Sequence, residues 1–313
     1  LRAKLEAAIP LGDEGSPVWG PLEFWACYCG VRPVPPAFSA PPAPVISERQ
    51  AVMLSGRWRQ RLRSQIAQHE LDPAAALEAL MALAGEEHGR DFYAAVSFSD
   101  VPADDGRRIW IGWMNNWETA LNPTSPWRSA MSVPRELSLQ RINGQLRLCQ
   151  RPVRELRSLR TDSTALANVK ITDEARSLDV RGQQLEIIAV FAPGNADEFG
   201  LRVLKGTSQE TVVGYDVRTK QLFIDRTKSG NVDFHKAFAG RHQGPLTIDP
   251  SGRIRLHVLV DASSVEVFGN DGETVVTDLV FPDTGSTGLE VYSSGGTSEL
   301  VECTVHRLKS AVR

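Results

Sequence analysis

The side chains best suited to metal or thiol chemistry are four cysteines and six histidines in 313 residues. Cys27 and Cys29 form a C-x-C pair, while Cys149 and Cys303 stand alone. A zinc site wants a second cysteine pair or histidines at close spacing. His69, His88, His235, His242, His257 and His306 are scattered instead, so neither a metal nor a cofactor is expected. Cys303 lies in the alternating run Leu300-Val-Glu-Cys-Thr-Val305 and is expected to be a small core residue. Among the carboxylates upstream, Glu23 in Glu23-Phe-Trp-Ala-Cys27 is the strongest acid/base candidate, and it is weak, since a surface or loop carboxylate accounts for it better. Asp13 and Glu14 are weaker still.

Composition narrows the partners. Thirty-five Lys and Arg against 38 Asp and Glu give a net charge of −3. A near-neutral chain has no overall field to attract nucleic acid or an acidic membrane surface, so neither is expected as a partner. No apolar run approaches the roughly 18 residues of a membrane span. Nor does residues 1–10 contain the apolar stretch of a signal peptide.

The elements that would carry any site change character along the chain. Residues 1–87 are expected to be irregular and partly helical. Prolines cluster at Val31-Arg-Pro-Val-Pro-Pro36 and Ala40-Pro-Pro-Ala-Pro44, which blocks both helix and central strand. Asp72-Pro73 then opens a run of helix formers, with Asp72 as cap and Pro73 in the first position. From residue 88 the pattern is that of strands. Phe92–Phe98 and Arg108–Trp113 predict one hairpin; Met131–Leu139 and Gln145–Cys149, split by Asn143-Gly144, predict another. Beyond residue 159, about nine short strands, from Leu185–Phe191 to Glu299–Val305, predict a β-sandwich. Arg253-Ile-Arg-Leu-His-Val-Leu-Val260 alternates polar and apolar residues as a half-buried antiparallel strand does.

Several blocks occur in a telling order. They are Gly89-Arg-Asp-Phe-Tyr-Ala-Ala95, Ile109-Trp-Ile-Gly-Trp-Met-Asn-Asn-Trp117, Pro123-Thr-Ser-Pro-Trp-Arg128, and Met131-Ser-Val-Pro-Arg-Glu-Leu137. Later come Asp225-Arg-Thr-Lys-Ser-Gly-Asn-Val-Asp-Phe-His235 and Val260-Asp-Ala-Ser-Ser-Val-Glu-Val-Phe268. From about residue 88 to the C-terminus the chain resembles the glycoside hydrolase family 32 enzymes: invertases, exo-inulinases and levanases acting on β-fructofuranosides. The resemblance implies an all-β fold, with the last part of a five-bladed β-propeller over 88–158 and a C-terminal β-sandwich over 159–313. It also implies a sucrose or fructan substrate and an extracellular or periplasmic location, and leaves oligomeric state open.

In that family an Asp attacks the anomeric carbon of fructose, a Glu protonates the leaving oxygen, and a second Asp holds sugar hydroxyls. The chemistry needs two carboxyl groups about 5–5.5 Å apart. The resemblance places them in Asn-Asp-Pro-Asn-Gly, Arg-Asp-Pro and Glu-Cys motifs upstream of residue 88, and residues 1–87 hold none of the three. That segment is either a frame-shifted reading or a genuine replacement. What carries over is the sugar-site rim: Tyr93 and Trp117 match positions that line the pocket; Asp91 could orient neighbouring groups or be a turn residue or partner of Arg90, and Asn116 is a weaker candidate. An indole face packs on the C–H face of a sugar, and a phenol adds a hydrogen bond. Both rings could equally be core aromatics; Trp113 is a weaker candidate, and Trp110 is expected to pack. Arg135-Glu136 reads as a structural ion pair or an exposed strand pair, worth at most about 1 kcal/mol if exposed. Asp225, Arg226, Asp233 and His235 read as residues that pin a loop. The expectation is therefore a β-fructofuranosidase-type chain without turnover of its own; the alternative is a non-catalytic carbohydrate-binding or interface module.

Overall fold

A computed structural model describes residues 87–311, apart from 99–100, 103, 117, 120 and 126–129. The expected helix after Asp72, the proline-rich segment and the Glu23 site lie outside the described residues.

The first layer is a five-stranded antiparallel sheet. It contains β1 (Tyr93–Ser97), β2 (Arg108–Met114), β4 (Arg135–Ile142) and β5 (Gln145–Pro152) in that order, with the two-residue β3 (Ala130–Met131) also paired to β2. The single strand expected over 131–139 is split in two. Pro134 has no N–H to give a ladder. The Val133 N–H is taken by the Glu266 side chain at 2.8 Å, so pairing resumes only at Arg135. The β4–β5 hairpin turns on Asn143 and Gly144, both at positive φ, 50° and 80°, as a two-residue turn matched to strand twist requires. A Cβ on Gly144 would meet nothing within 4 Å. Gly144→Ala is thus a pure backbone test, expected to cost about 1 kcal/mol; an unchanged urea midpoint would contradict the turn.

A short 3₁₀ helix, Arg154–Leu159, leads into the sandwich. One six-stranded sheet runs β12 (Arg241–Pro245), β11 (Gln221–Lys228), β10 (Glu210–Asp216), β9 (Glu198–Lys205), β16 (Gly288–Ser294), β7 (Ala175–Ser177). The other runs β15 (Thr274–Leu279), β14 (Ser264–Gly269), β13 (Ile254–Asp261), β8 (Leu185–Ala192), β17 (Thr297–Leu308), β6 (Arg160–Thr172). Alternate residues of both sheets face inward, among them Ile187, Phe191, Phe199, Leu201, Tyr215 and Val258, all without accessible surface. At about 25 cal/mol per Å2 of apolar surface removed from water, this layer is the main source of stability.

The first sheet lies against the outer face of the β15–β6 sheet, and the join is polar as well as apolar. Met114 packs with Phe238 and Leu279; Val133 and Leu156 pack on Leu259, Phe268 and Val275. Backbone bonds stitch the layers together, His88 N–H to Val275 O at 3.0 Å and Gln150 N–H to Gly272 O at 3.0 Å. A Cβ at Gly272, whose φ is +91°, would fall on the Gln150 carbonyl, so this turn tolerates no side chain.

Arg135 shows what the join is built on. Its side chain is fully buried and bonds Glu87 (2.6 Å), Gln150 (2.9 Å), Glu266 (2.6 Å) and Thr277 (2.6 Å), with Phe92 and Phe268 over its guanidinium. The expected pairing with Glu136 is therefore corrected. Neighbours on a strand point to opposite faces, so Arg135 turns to the sandwich and its partners come from elsewhere in the chain.

Candidate functional site

Of the residues expected at the rim, Asp91 and Tyr93 lie at the start of β1 and Asn116 just after the end of β2. Tyr93 begins β1, opposite Trp113 of β2, and the two rings meet edge to face with centroids 6.3 Å apart. The register then slips: Tyr93 pairs Trp113 but Val96 pairs Ile111, so β1 carries one extra residue. Ala94 takes up the slack at φ 47°, a conformation alanine rarely adopts. Bulges of this kind re-aim a side chain beside a site. Here the outcome is a Tyr93 that is 45% exposed. On the other face, Trp110 packs against Phe92 at 5.6 Å, as its alternation predicts.

Asn116 follows the end of β2 and shapes the next turn. Its Oδ1 accepts the N–H groups of Glu118 (3.0 Å) and Thr119 (2.9 Å), and its Nδ2 donates to Thr119 Oγ1 (2.8 Å). The second Nδ2 contact, also 2.8 Å, runs to Asp91 Oδ1. Trp117 itself lies outside the described residues.

Asp91 sits beneath this turn, with no accessible surface. Its Oδ2 accepts from Arg226 Nη1 at 2.5 Å and from the Leu279 N–H at 2.9 Å, both in the sandwich. Burial holds its carboxyl above the ordinary aspartate range, with the Arg226 guanidinium pulling the other way. Arg90, next in sequence, does not pair with it; it pairs with exposed Glu118 across the turn.

Arg226 is held on several sides. Nε donates to Phe238 O (2.7 Å) and Nη1 to Leu279 O (3.1 Å), while the Phe238 ring covers the guanidinium at 3.9 Å. Asp278 stands 3.7 Å away, bound in turn to His242 Nδ1 at 2.8 Å and to the Arg90 N–H at 3.0 Å. Of the residues expected to pin a loop, Asp225 does so through the N–H and hydroxyl of Thr227, and His235 through the Ala237 N–H. Arg226 instead crosses to the first sheet. Sequence alone could not give that partner, which lies 135 positions away.

Among the described residues, no group of three or more His, Cys, Asp or Glu is placed to hold a metal ion. No helix among them is long and apolar enough to cross a membrane.

Comparison with known families accounts for both layers at once. The pattern described as "Glycosyl hydrolases family 32 N-terminal domain" matches residues 56–152, and "Glycosyl hydrolases family 32 C terminal" matches residues 155–307. The chain belongs to glycoside hydrolase family 32. The N-terminal match opens upstream of residue 88, where the motifs begin, and the break between the two matches falls at the entry to the 3₁₀ helix. A levanase of Bacillus subtilis strain 168 is 47% identical over 229 residues, covering 71% of this chain and 34% of its own length. An extracellular exo-inulinase of Aspergillus ficuum is 39% identical over 234 residues, covering 71% and 42%. The crystal structure of exo-inulinase from Aspergillus awamori superposes with a TM-score of 0.67 at 34% identity, over 72% of this chain and 44% of that one. The chain thus spans less than half the length of these family 32 relatives. Its propeller-plus-sandwich architecture is that of the family.

Proposed function

We propose that residues 88–158 form the closing part of a β-fructofuranosidase propeller and residues 159–313 its sandwich, together carrying one side of a fructosyl site. The substrates are terminal fructosyl units of sucrose, inulin or levan. Support comes chiefly from the 47% identity to a levanase over the stretch that holds the rim. In this reading Tyr93 and Trp117 meet the sugar, Asn116 sets the turn after β2, and Asp91 holds that turn from below. Secretion is part of the reading, since the Aspergillus ficuum relative is an extracellular enzyme.

The reaction class is retaining hydrolysis, which needs an ionised carboxylate nucleophile and a second carboxyl kept protonated. Asp91 does not fit the nucleophile: it is sealed from solvent and engaged on both oxygens. Residues 1–87 lack the three carboxylate motifs, so the purified chain is expected to bind fructan without cutting it. The test is fructose release from sucrose, inulin and levan, alongside inulin binding, for the wild type and Trp117→Ala. The expected result is no release, with binding that Trp117→Ala weakens about tenfold, or 1.4 kcal/mol. Release that vanishes in Trp117→Ala would show working carboxylates in the upstream segment, with Glu23 the first to replace. Folded protein that binds none of the three sugars would refute the fructosyl reading.

A further inference from the structure

We infer that Arg226, a sandwich residue, is a positioning residue for the turn that Asn116 shapes after β2, so that the sandwich sets the geometry of a turn in the first layer. The relay has two links with one carboxylate between them. Arg226 Nη1 and the Leu279 N–H hold Asp91 Oδ2, at 2.5 and 2.9 Å, and Asp91 Oδ1 holds Asn116 Nδ2 at 2.8 Å. Both oxygens are therefore committed, one to the sandwich and one to the turn. A carboxylate is rigid and planar, so fixing Oδ2 fixes the direction in which Oδ1 faces Asn116.

Asn116 passes that constraint on. With Nδ2 held by Asp91 and Thr119 Oγ1, its Oδ1 is aimed at the Glu118 and Thr119 N–H groups. The backbone N–H groups of Glu118 and Thr119 are thus both set by the Asn116 amide. Arg226 cannot easily move in response. It is fully buried, bonded to Phe238 O and Leu279 O, and capped by the Phe238 ring. A separate contact supports the same end of β2: Met114, two residues before Asn116, shares an apolar cluster with Phe238 and Leu279 of the sandwich, against which Phe234 and Phe281 pack. Strand β2 and the turn after it are thus held by polar and apolar contacts to one sandwich region.

The inference rests on the fructosyl reading only for what the turn presents; the relay is tested without sugar. Amide hydrogen exchange of the full chain compares Glu118 and Thr119 with Val258 and Val267, a pair in the central sandwich strands. In Arg226→Met, Glu118 and Thr119 are expected to exchange at least tenfold faster while Val258 and Val267 keep their protection. Arg226→Met with Asp91→Asn removes both charges but leaves an Oδ1 acceptor for Asn116, and is expected to restore most of the turn's protection. If Arg226→Met does not fold, Arg226→Lys serves: it keeps a cation against Asp91, loses the bonds to the two carbonyls, and should speed the turn selectively by a smaller factor. Unchanged exchange at Glu118 and Thr119, or an equal rise at all four amides, would overturn the inference. Loss of inulin binding in the wild type would instead strike the fructosyl reading and leave the relay standing.

Discussion

Replacing Arg135 by methionine is expected to lower the unfolding free energy by about 3–5 kcal/mol, the cost of leaving buried charge without its partner. The guanidinium bridges Glu87 and Glu266, each 2.6 Å away, and it carries no accessible surface. Methionine fills a similar volume but leaves two carboxyl groups facing each other in a dry seam. Glu266 is already sensitive: burial holds its carboxyl above the ordinary range, against the pull of Arg135. The lost contacts are not only electrostatic, since Phe92 and Phe268 stack on the guanidinium at 4.1 and 5.1 Å. Urea unfolding followed by tryptophan fluorescence reads the change, and Glu87→Gln with Glu266→Gln added to Arg135→Met should recover more than half of it. An unaltered midpoint in the single variant would mean that the seam contributes nothing to stability.

The legibility of this fold follows from where its residues face. The central strands were visible from their apolar pattern: the alternating Arg253–Val260 became β13, and the apolar run Leu185–Phe191, buried on both faces, became β8, almost to the residue. The thirteen-residue β6 was not, although it is the longest strand described. It is an edge strand with only Ile171 fully buried, so its sequence, Arg-Thr-Asp-Ser-Thr-Ala-Leu-Ala-Asn-Val-Lys-Ile-Thr, shows little apolar periodicity. Strand β12, Arg-His-Gln-Gly-Pro, was missed for the same reason; its Pro245 is of a kind tolerated on an edge. Polar residues were harder still. A buried Arg and an exposed one look alike in sequence, and only the register of β4 and β11 sends Arg135 and Arg226 across the seam. Their carboxylate partners are brought together by the packing of the two layers, which leaves no local mark. Of the residues singled out near the motif blocks, Asp91 and Asn116 are bonded to each other and Tyr93 stands opposite Trp113; which of them faces solvent could not be read from spacing.

Acid should weaken the protein in part through Glu186, a carboxylate buried in the sandwich. Arg160 grips its carboxylate with two bonds, Nε to Oε2 at 2.6 Å and Nη2 to Oε1 at 2.7 Å, and His257 Nε2 lies 2.8 Å from Oε1. Burial pushes the carboxyl up, yet the Arg160 bonds and His257 outweigh it and hold it at about 2, against an ordinary 4.5. A carboxyl depressed on folding stabilises the protein above its unfolded pKa, and that stability is lost as pH falls through the folded value. The contribution is therefore complete above about pH 5 and disappears toward pH 2; Arg160 is partly in water, so it amounts to about 2 kcal/mol. Position makes the loss matter, because Arg160 starts β6 directly after the 3₁₀ helix that joins the first sheet to the sandwich. Glu186→Gln cannot titrate. It should be less stable than the wild type at pH 7 by about that amount, with the two proteins converging as the pH approaches 2. Urea midpoints of both, measured between pH 7 and pH 2, make the comparison. A constant gap across that range would mean that the Glu186 charge does not contribute to holding the linker, whatever its hydrogen bonds do.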